Sequence, residues 1–225
     1  MAEHHLRVRR TARFHTLGEP GPGVREIWIA CHGYGQLAAR FLRHFRAAAH
    51  PERLIVAPEA LSRFYLDNAL PHGPDARVGA TWMTREDRDS EIGDYVEYLD
   101  ALAAHLLAGA GAGAAPPRLV AFGFSQGVAT VMRWLAMGQA RAQRLICWSG
   151  SMPAELDLAA ARDRFGDEPV TYACGDRDEY FGAARVADQT GRLQAAGVPF
   201  VYVPFSGTHT IDAETLARVA GAPPA

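Results

Sequence analysis

Residues 119–134 read Leu119-Val-Ala-Phe-Gly-Phe-Ser125-Gln-Gly-Val-Ala-Thr-Val-Met-Arg-Trp134, and this stretch decides the fold. The apolar run that opens it is typical of a fully buried strand. A helical spacing of apolar residues follows, at Val128, Val131 and Met132. Between strand and helix lies the pattern G-x-S-x-G, whose glycines permit a turn too tight for larger side chains. The stretch therefore predicts a strand, a sharp turn that exposes Ser125, and a helix whose first N–H groups point toward developing negative charge.

The alternative interpretation of Ser125 is an ordinary helix N-cap at a strand–helix turn. The rest of the chain distinguishes the two, because a serine nucleophile needs a histidine base and a carboxylate that orients it. In α/β-hydrolases these groups follow the order Ser, Asp/Glu, His.

The remainder of the chain repeats the strand–turn–helix pattern. Two early strands, within 6–17 and 24–31, are expected to pair as an antiparallel edge, and later strands are expected near 54–57, 144–148, 169–174 and 198–203. The last of these is expected to be buried. Helical patterns intervene, so the sequence predicts an α/β fold with a mostly parallel central sheet and helices on both faces. The tract Gly109-Ala-Gly-Ala-Gly113 is interpreted as a flexible surface loop, since it lacks the Gly-Lys-Ser/Thr ending of a P-loop.

Candidate partners for Ser125 follow later strands in the expected order. Asp176 and Asp178 come after one strand and His209 after the last one. Carboxyl ends of parallel strands meet at one edge of a sheet, so these side chains are expected to lie together. His32 also follows a strand, but it precedes Ser125 and is interpreted as structural. The residues alone leave the choice between Asp176 and Asp178 open, and Asp176 can instead be a turn-forming aspartate.

The glycine-marked turn His32-Gly-Tyr-Gly-Gln36 follows an early strand and is the expected source of a second oxyanion donor. We assign the oxyanion hole to the backbone N–H groups of Tyr34 and Gln126.

Residues 58–88 show no clean periodicity and are predicted to be a long loop, serving as a lid or pocket wall. Phe64, Trp82 and, further along, Met152 are candidate substrate-binding residues. The equally weighted alternative is that the aromatic residues only anchor a long loop to the core.

Length, charge and cysteine content limit the function classes. The 225 residues fit a single domain spanning 1–225, with an apolar content of 48% that is ample for a core. The net charge of −2 offers no electrostatic basis for binding nucleic acid. Three unclustered cysteines indicate neither disulfides nor zinc. Residues 1–10 lack the apolar region of a signal peptide, and no apolar run is long enough to span a bilayer, so a cytoplasmic protein without an integral membrane segment is expected.

Five motifs together resemble the phospholipase/carboxylesterase family of α/β-hydrolases, which includes the acyl-protein thioesterases. They are His32-Gly-Tyr-Gly35 (H-G-x-G), Gly123-Phe-Ser-Gln-Gly127 (G-F-S-Q-G), Trp148-Ser-Gly-Ser-Met-Pro153 (near S-G-x-x-P), Gly175-Asp-Arg-Asp178 (G-x-x-D) and Gly207-Thr-His209 (near G-x-H). The resemblance implies that the acid is Asp178 and that Trp82 corresponds to a tryptophan beside the pocket. The chain departs from the family pattern at Cys174, where histidine is usual, at 179–181, where V-V-P is usual, and at Gln36, where aspartate is usual.

The resemblance implies a serine esterase that cleaves carboxylic esters or thioesters through Ser125, His209 and Asp178 and forms an acyl-enzyme intermediate. No metal or organic cofactor is expected, and the expected partner is a small-molecule ester or thioester. A peptidase or lactone hydrolase on the same fold and a non-catalytic ligand binder are the alternatives. The oligomeric state stays open, with a homodimer among the alternatives.

Overall fold

The apolar runs of the sequence form a seven-stranded sheet in the computed structural model, which describes residues 1–67, 71–110 and 115–223. The strand order is β1-β3-β2-β6-β7-β8-β9, and every neighbouring pair is parallel except β1 with β3. The strands are β1 (Phe14–Leu17), β2 (Glu26–Cys31), β3 (Arg53–Pro58), β6 (Arg118–Phe124), β7 (Arg144–Trp148), β8 (Val170–Gly175) and β9 (Phe200–Phe205). The mostly parallel sheet predicted from the sequence is confirmed.

Helices cover both faces of this sheet, because its central strands are apolar on both sides. The helices are α1 (Ala38–Phe41), which continues as a 3-10 helix (Leu42–Ala48), α2 (Arg88–Gly109), α3 (Gln126–Met137), a short 3-10 helix (Arg162–Arg164), α4 (Ala183–Ala195) and α5 (Ala213–Ala220). One core layer contains Leu99 of α2, Val131 of α3 and Leu193 of α4. The other contains Phe45 of the first 3-10 helix and Leu216 of α5.

The predicted pairing of the first two strands is wrong. β1 is short and pairs antiparallel with β3, with Phe14 opposite Pro58, while β2 lies between β3 and β6. The apolar strand β2 is fully buried and therefore occupies an inner position, whereas the half-exposed β1 occupies the edge. The expectation of a buried strand near 198–203 is also wrong, since β9 forms the opposite edge and most of its residues are not buried.

The predicted loop at 58–88 contains regular structure. β4 (Ser62–Tyr65) and β5 (Val78–Thr81) form a separate antiparallel pair, with Phe64 opposite Gly79. Residues 68–70, between these strands, lie outside the described residues, as do residues 111–114 of the glycine-alanine tract that follows α2. Among the described residues, no helix combines the length and the apolar character needed to span a bilayer.

Candidate active site

Ser125 lies in a strained turn between β6 and α3. Its backbone has φ 54° and ψ −118°, in a region that L-residues rarely occupy. Close packing explains the turn: a Cβ atom on Gly127 would lie 2.1 Å from the carbonyl oxygen of Cys31, and one on Gly123 would lie 2.4 Å from that of Gly127. The N–H of Ser125 donates to the carbonyl oxygen of Trp148 at 2.9 Å, which fixes the turn against β7.

His209 forms a hydrogen bond with the carboxylate chosen for it. Its Nδ1 atom lies 2.9 Å from Oδ2 of Asp178, whose side chain is fully buried. The other carboxylate oxygen accepts hydrogen bonds from the N–H groups of Tyr180 (2.9 Å) and Phe181 (3.0 Å). Burial raises the pKa of Asp178, but the hydrogen bonds from His209 and the backbone outweigh it and lower the pKa below its usual value. Asp178 is therefore a carboxylate suited to orient an imidazole.

Asp176, the other candidate acid, has a different role. Its Oδ1 atom accepts a hydrogen bond from the N–H of Gly207 at 3.0 Å, and the N–H of Arg177 donates to the carbonyl oxygen of Gly207 at 2.9 Å. These two bonds join the loop that carries the acid to the loop that carries His209. Asp176 thus holds the loop that carries His209 and forms no hydrogen bond with the imidazole.

Ser125 and His209 line one cavity of about 490 Å³. Since Nδ1 of His209 is bonded to Asp178, its Nε2 atom remains for a second partner. No hydrogen bond joins the Ser125 hydroxyl to His209 in the structure. In serine hydrolases the corresponding hydrogen bond is commonly long without substrate and tightens in the Michaelis complex.

The two expected oxyanion donors come from different elements that meet at this cavity. Tyr34, in the turn after β2, and Gln126, the first residue of α3, both line it. Their N–H groups have no hydrogen-bond acceptor in the described part of the chain. The turn is fixed by bonds on either side of Tyr34: Gly33 N–H donates to Oε1 of Gln36 at 2.8 Å, and Gly35 N–H donates to the carbonyl oxygen of Ala80 at 2.9 Å. Two N–H groups that are held in place and lack an acceptor among the described residues can together stabilise an anion.

His32 supports the same turn from inside the protein. Its Nε2 atom accepts a hydrogen bond from the N–H of Ala60 at 3.1 Å, so the proton lies on Nδ1, which donates to the carbonyl oxygen of Gly33 at 2.8 Å. Burial lowers the pKa of His32 and keeps the imidazole neutral. This agrees with its interpretation as a structural residue.

The side chain of Gln126 has a structural function that the sequence analysis missed. Its Oε1 atom accepts from the N–H of Trp82 at 3.2 Å, and its Nε2 atom donates to the carbonyl oxygen of Met83 at 2.9 Å. These bonds join the nucleophile turn to the chain that follows β5. Together with the contact between Gly35 and Ala80, they attach the region 78–83 to both halves of the expected oxyanion hole.

The candidate substrate-binding residues lie behind or beside the cavity. Trp82 is 2% exposed and donates from Nε1 to the carbonyl oxygen of His32, while Met152 is 3% exposed and belongs to the core. Phe64 packs on Tyr34 with ring centroids 5.1 Å apart. None of the three is among the lining residues of the cavity, which are Tyr34, Ser125, Gln126, Ala129, Ser151, Tyr180, Phe181, Arg185 and His209.

Aromatic residues directly after the acid surround His209, and the sequence analysis did not identify them as site residues. The ring of Tyr180 meets the imidazole edge-on at 4.8 Å, and that of Phe181 lies parallel to it at 6.2 Å. The available signal was the departure from the family pattern at 179–181, because replacing V-V-P by Glu179-Tyr-Phe181 changes the residues next to the histidine.

Cys174, another departure from the family pattern, contacts the carboxylate of Asp178. Its Sγ atom lies 3.8 Å from Oδ2 of Asp178 and 3.6 Å from the carbonyl oxygen of Phe181. Burial raises the pKa of Cys174 to about 11, so it is a neutral thiol that can donate a weak hydrogen bond to the carboxylate.

Grouped metal-ligating side chains occur away from this site. In residues 1–67, 71–110 and 115–223, the one group with suitable spacing is Glu3, His5 and Asp87, all exposed, where Nε2 of His5 lies 3.1 Å from Oδ1 of Asp87. None of the three belongs to the cavity around Ser125.

No protein-family model and no curated protein matches the sequence. Solved structures, however, are similar in fold over most of their length. Esterase PE8 is 24% identical, with a TM-score of 0.64 over 94% of this chain and 97% of its own. Acyl-protein thioesterase 2 from Zea mays is 18% identical, with a TM-score of 0.68 over 93% of this chain and 96% of its own. A phospholipase/carboxylesterase from Dyadobacter fermentans is 17% identical, with a TM-score of 0.62 over 95% and 97%. The strand order, the helices on both faces and these likenesses together show that the chain has the α/β-hydrolase fold.

Proposed function

We propose that this protein is a serine hydrolase that cleaves carboxylic esters or thioesters and belongs to the phospholipase/carboxylesterase family. The observation that carries the proposal is the hydrogen bond of 2.9 Å between His209 and the buried Asp178, in a site where His209 and Ser125 line the same cavity. The five sequence motifs support it, as does the similarity to structures of an esterase, a thioesterase and a phospholipase/carboxylesterase.

In the proposed first half-reaction, Ser125 Oγ attacks the carbonyl carbon of the ester while Nε2 of His209 accepts the hydroxyl proton. Asp178 keeps the proton of His209 on Nδ1 and stabilises the imidazolium that forms. Collapse of the tetrahedral intermediate breaks the bond to the leaving alcohol or thiol, which takes the proton from Nε2. The acyl group remains on Ser125.

In the second half-reaction, a water molecule gives a proton to His209 and attacks the acyl-enzyme, and the carboxylic acid leaves as Ser125 recovers its proton. The N–H groups of Tyr34 and Gln126 stabilise the oxyanion in both steps. A donor of this kind contributes about 3 kcal/mol in comparable enzymes.

Hydrolysis of a short-chain 4-nitrophenyl ester by the wild type and by Ser125→Ala tests the proposal. We expect turnover by the wild type and loss of turnover in the variant, with an unchanged circular dichroism spectrum. A fluorophosphonate probe should label the wild type and not Ser125→Ala.

The outcomes separate the alternatives. Absence of both labelling and turnover in a folded wild type would favour a non-catalytic binder. Labelling combined with cleavage of peptides or lactones, but not of open-chain esters, would reassign the substrate class. Full activity of Ser125→Ala would exclude the mechanism.

A further inference from the structure

One cationic side chain faces the proposed catalytic cavity without a partner of opposite charge. Arg185, in the first turn of α4, lines the cavity together with Ser125 and His209. Its guanidinium forms no ion pair with any carboxylate in the described part of the chain, whereas those of Arg77, Arg88 and Arg133 each pair with a carboxylate. An unpaired guanidinium beside a reaction centre can bind an anionic oxygen pair of a ligand.

Local contacts restrict where this guanidinium can lie. Its Nη1 atom donates to the carbonyl oxygen of Tyr180 at 3.0 Å, and its Cζ atom lies 5.7 Å from the ring centroid of Phe181. Phe181 in turn lies parallel to the imidazole of His209. The guanidinium is therefore held by the same segment that packs around His209. Its remaining N–H groups have no acceptor among the described residues and can donate to a ligand.

The surroundings of Arg185 add a second source of positive potential. A neighbouring cavity of about 460 Å³ shares Tyr180 and Arg185 with the catalytic one and is lined by the first residues of α4. This helix has Gly182 as its N-cap, with no side-chain cap and no acidic residue in its first turn. Uncapped N–H groups at a helix start favour a negative charge.

One acidic residue opposes this potential. Glu179 lines the neighbouring cavity but forms no ion pair with Arg185. The carboxylate of Asp178 is also negative, but it is buried, is hydrogen-bonded to His209 and lines neither cavity, so an anionic ligand would not contact it directly.

We infer that the hydrolase prefers esters carrying a second, anionic group, a carboxylate or a phosphate, which binds to the Arg185 guanidinium beside the start of α4. This inference rests on the proposed ester hydrolysis and specifies the substrate class of that site. Arg185 is then a specificity-determining residue, and it takes no part in the proton transfers.

Matched ester pairs test the inference. The carboxylate arm compares mono-4-nitrophenyl adipate with 4-nitrophenyl hexanoate, in which a methyl group replaces the carboxylate. The phosphate arm compares a monobutyryl ester of glycerol 3-phosphate with monobutyrylglycerol. The readout in each arm is the kcat/KM of the anionic ester divided by that of its neutral partner.

We expect Arg185→Gln to lower this ratio about fivefold to tenfold in at least one arm, since a charge-assisted hydrogen bond at a partly exposed position is lost. Arg185→Lys should retain part of the preference. Glu179→Gln should raise the ratio about twofold, because it removes a nearby negative charge. Arg162→Gln is the control, because it removes one positive charge from an exposed arginine in the short 3-10 helix, which does not line either cavity. It should leave the ratio unchanged.

An equal ratio for the wild type and Arg185→Gln in both arms would overturn the inference, as would an equal loss in Arg162→Gln. The arm that responds identifies the anion as carboxylate or phosphate. Binding separates this result from the proposed function, and it is measured with both anionic esters. Ser125→Ala should bind the ester of the responding arm more tightly than Ser125→Ala/Arg185→Gln does, whether or not the wild type turns the ester over. Equal dissociation constants of the two variants for both anionic esters would refute the anion site by themselves.

Discussion

At the scale of single residues, two aspartates two positions apart make different hydrogen bonds, and the structure separates their roles. Asp178 accepts from His209 and from two backbone N–H groups, whereas Asp176 accepts from Gly207. Composition and spacing left both open as the acid, since each follows the same strand at the same edge of the sheet. Only the direction of each side chain distinguishes them, and a one-dimensional pattern at a turn does not specify that direction.

We expect Asp178→Asn to lower kcat of ester hydrolysis on the order of 10³- to 10⁴-fold, because an amide no longer selects the productive tautomer of His209. Asp176→Asn is the matched variant. Its amide oxygen can still accept from the N–H of Gly207, so we expect a loss below about threefold. Steady-state kinetics on one aryl ester, with both proteins checked by thermal unfolding, measures the two effects. A larger loss in Asp176→Asn would move the acid to that position.

The residues that line the cavity were harder to predict than the proposed catalytic residues. Ser125 and His209 are defined by short motifs whose backbone geometry the motif itself requires. Tyr180, Phe181 and Arg185 reach the cavity because the chain after Asp178 turns toward His209 before α4 begins at Ala183. Helical periodicity alone does not show where α4 begins, so the sequence did not predict the direction of these side chains.

At the scale of elements, the approach of α3 to β2 sets the position of Ser125, the proposed nucleophile. Gly127, the second residue of α3, lies so close to β2 that an added Cβ atom would be 2.1 Å from the carbonyl oxygen of Cys31. At Gly191, inside α4, an added Cβ atom would have no neighbouring atom within 4 Å. The same substitution at these two helical glycines therefore has opposite expected effects.

Gly127→Ala should destabilise the fold by about 1–3 kcal/mol through overpacking against backbone. It should also reduce kcat more than tenfold, because a shift of about 1 Å at the start of α3 displaces Ser125 and the N–H of Gln126. Gly191→Ala should stabilise by about 0.5–1 kcal/mol through helix propensity, with unchanged activity. Urea denaturation and ester kinetics give both quantities, and a Gly127→Ala protein with normal stability and activity would contradict the packing argument.

A second element-scale contact joins α2 and α3 through the loop after β7. Glu155 accepts from Nη2 of Arg88 at 2.5 Å and from Nε of Arg133 at 2.8 Å. Burial raises the pKa of Glu155, but the hydrogen bonds from Arg133 and Arg88 outweigh it and lower the pKa from 4.5 to about 2. A lowered carboxylate pKa stabilises the folded state at every pH above the unfolded value, and this contribution is lost as the pH falls through the folded value.

The free energy of unfolding of the wild type should therefore exceed that of Glu155→Gln by a constant amount above about pH 5. The difference should shrink as the pH falls from 4.5 to about 2. Half of the Glu155 side chain is exposed to solvent, so we expect a modest effect that decreases with added salt. Urea denaturation between pH 3 and pH 7 measures it. A difference that stays flat or grows toward pH 3 would rule out this linkage.

At the scale of the whole molecule, the order of strands and helices was predictable, and part of the pairing was not. Hydrophobic runs and glycine turns predict parallel β-α units because each strand must be buried on both faces. Whether β1 pairs with β2 or with β3 depends on which of these two strands has an unpaired edge left for it. That can be decided only once the other strands of the sheet are in place. The pair β4 and β5 was missed because its four-residue strands alternate weakly and are separated by a long connection.

The assembled sheet also places the proposed catalytic residues and a buried ion pair at opposite ends of the strands. Ser125, Asp178 and His209 follow the carboxyl ends of β6, β8 and β9. At the amino ends of β3 and β2, the buried Arg53 donates to Oε2 of Glu26 at 2.5 Å. Arg53 also donates to the carbonyl oxygens of Ala48, Ala220 and Gly221, so one side chain connects the sheet to the first 3-10 helix and to the end of α5.

Arg53→Met should therefore destabilise the protein by about 3–5 kcal/mol, because it leaves the buried carboxylate of Glu26 without its cation. The double variant Glu26→Gln/Arg53→Met should recover part of this loss, since the amide carries no charge and its oxygen can still accept from Nε1 of Trp28. Urea denaturation of the wild type, both single variants and the double variant forms a mutant cycle that measures the coupling. Ester hydrolysis well below the unfolding transition should retain the wild-type kcat/KM in all four proteins, because these residues lie at the opposite end of the strands from Ser125. A loss of activity in fully folded Arg53→Met would contradict this and show that the two ends of the sheet are coupled. In the mutant cycle, additive effects of the two single variants would show that Glu26 and Arg53 contribute independently to stability.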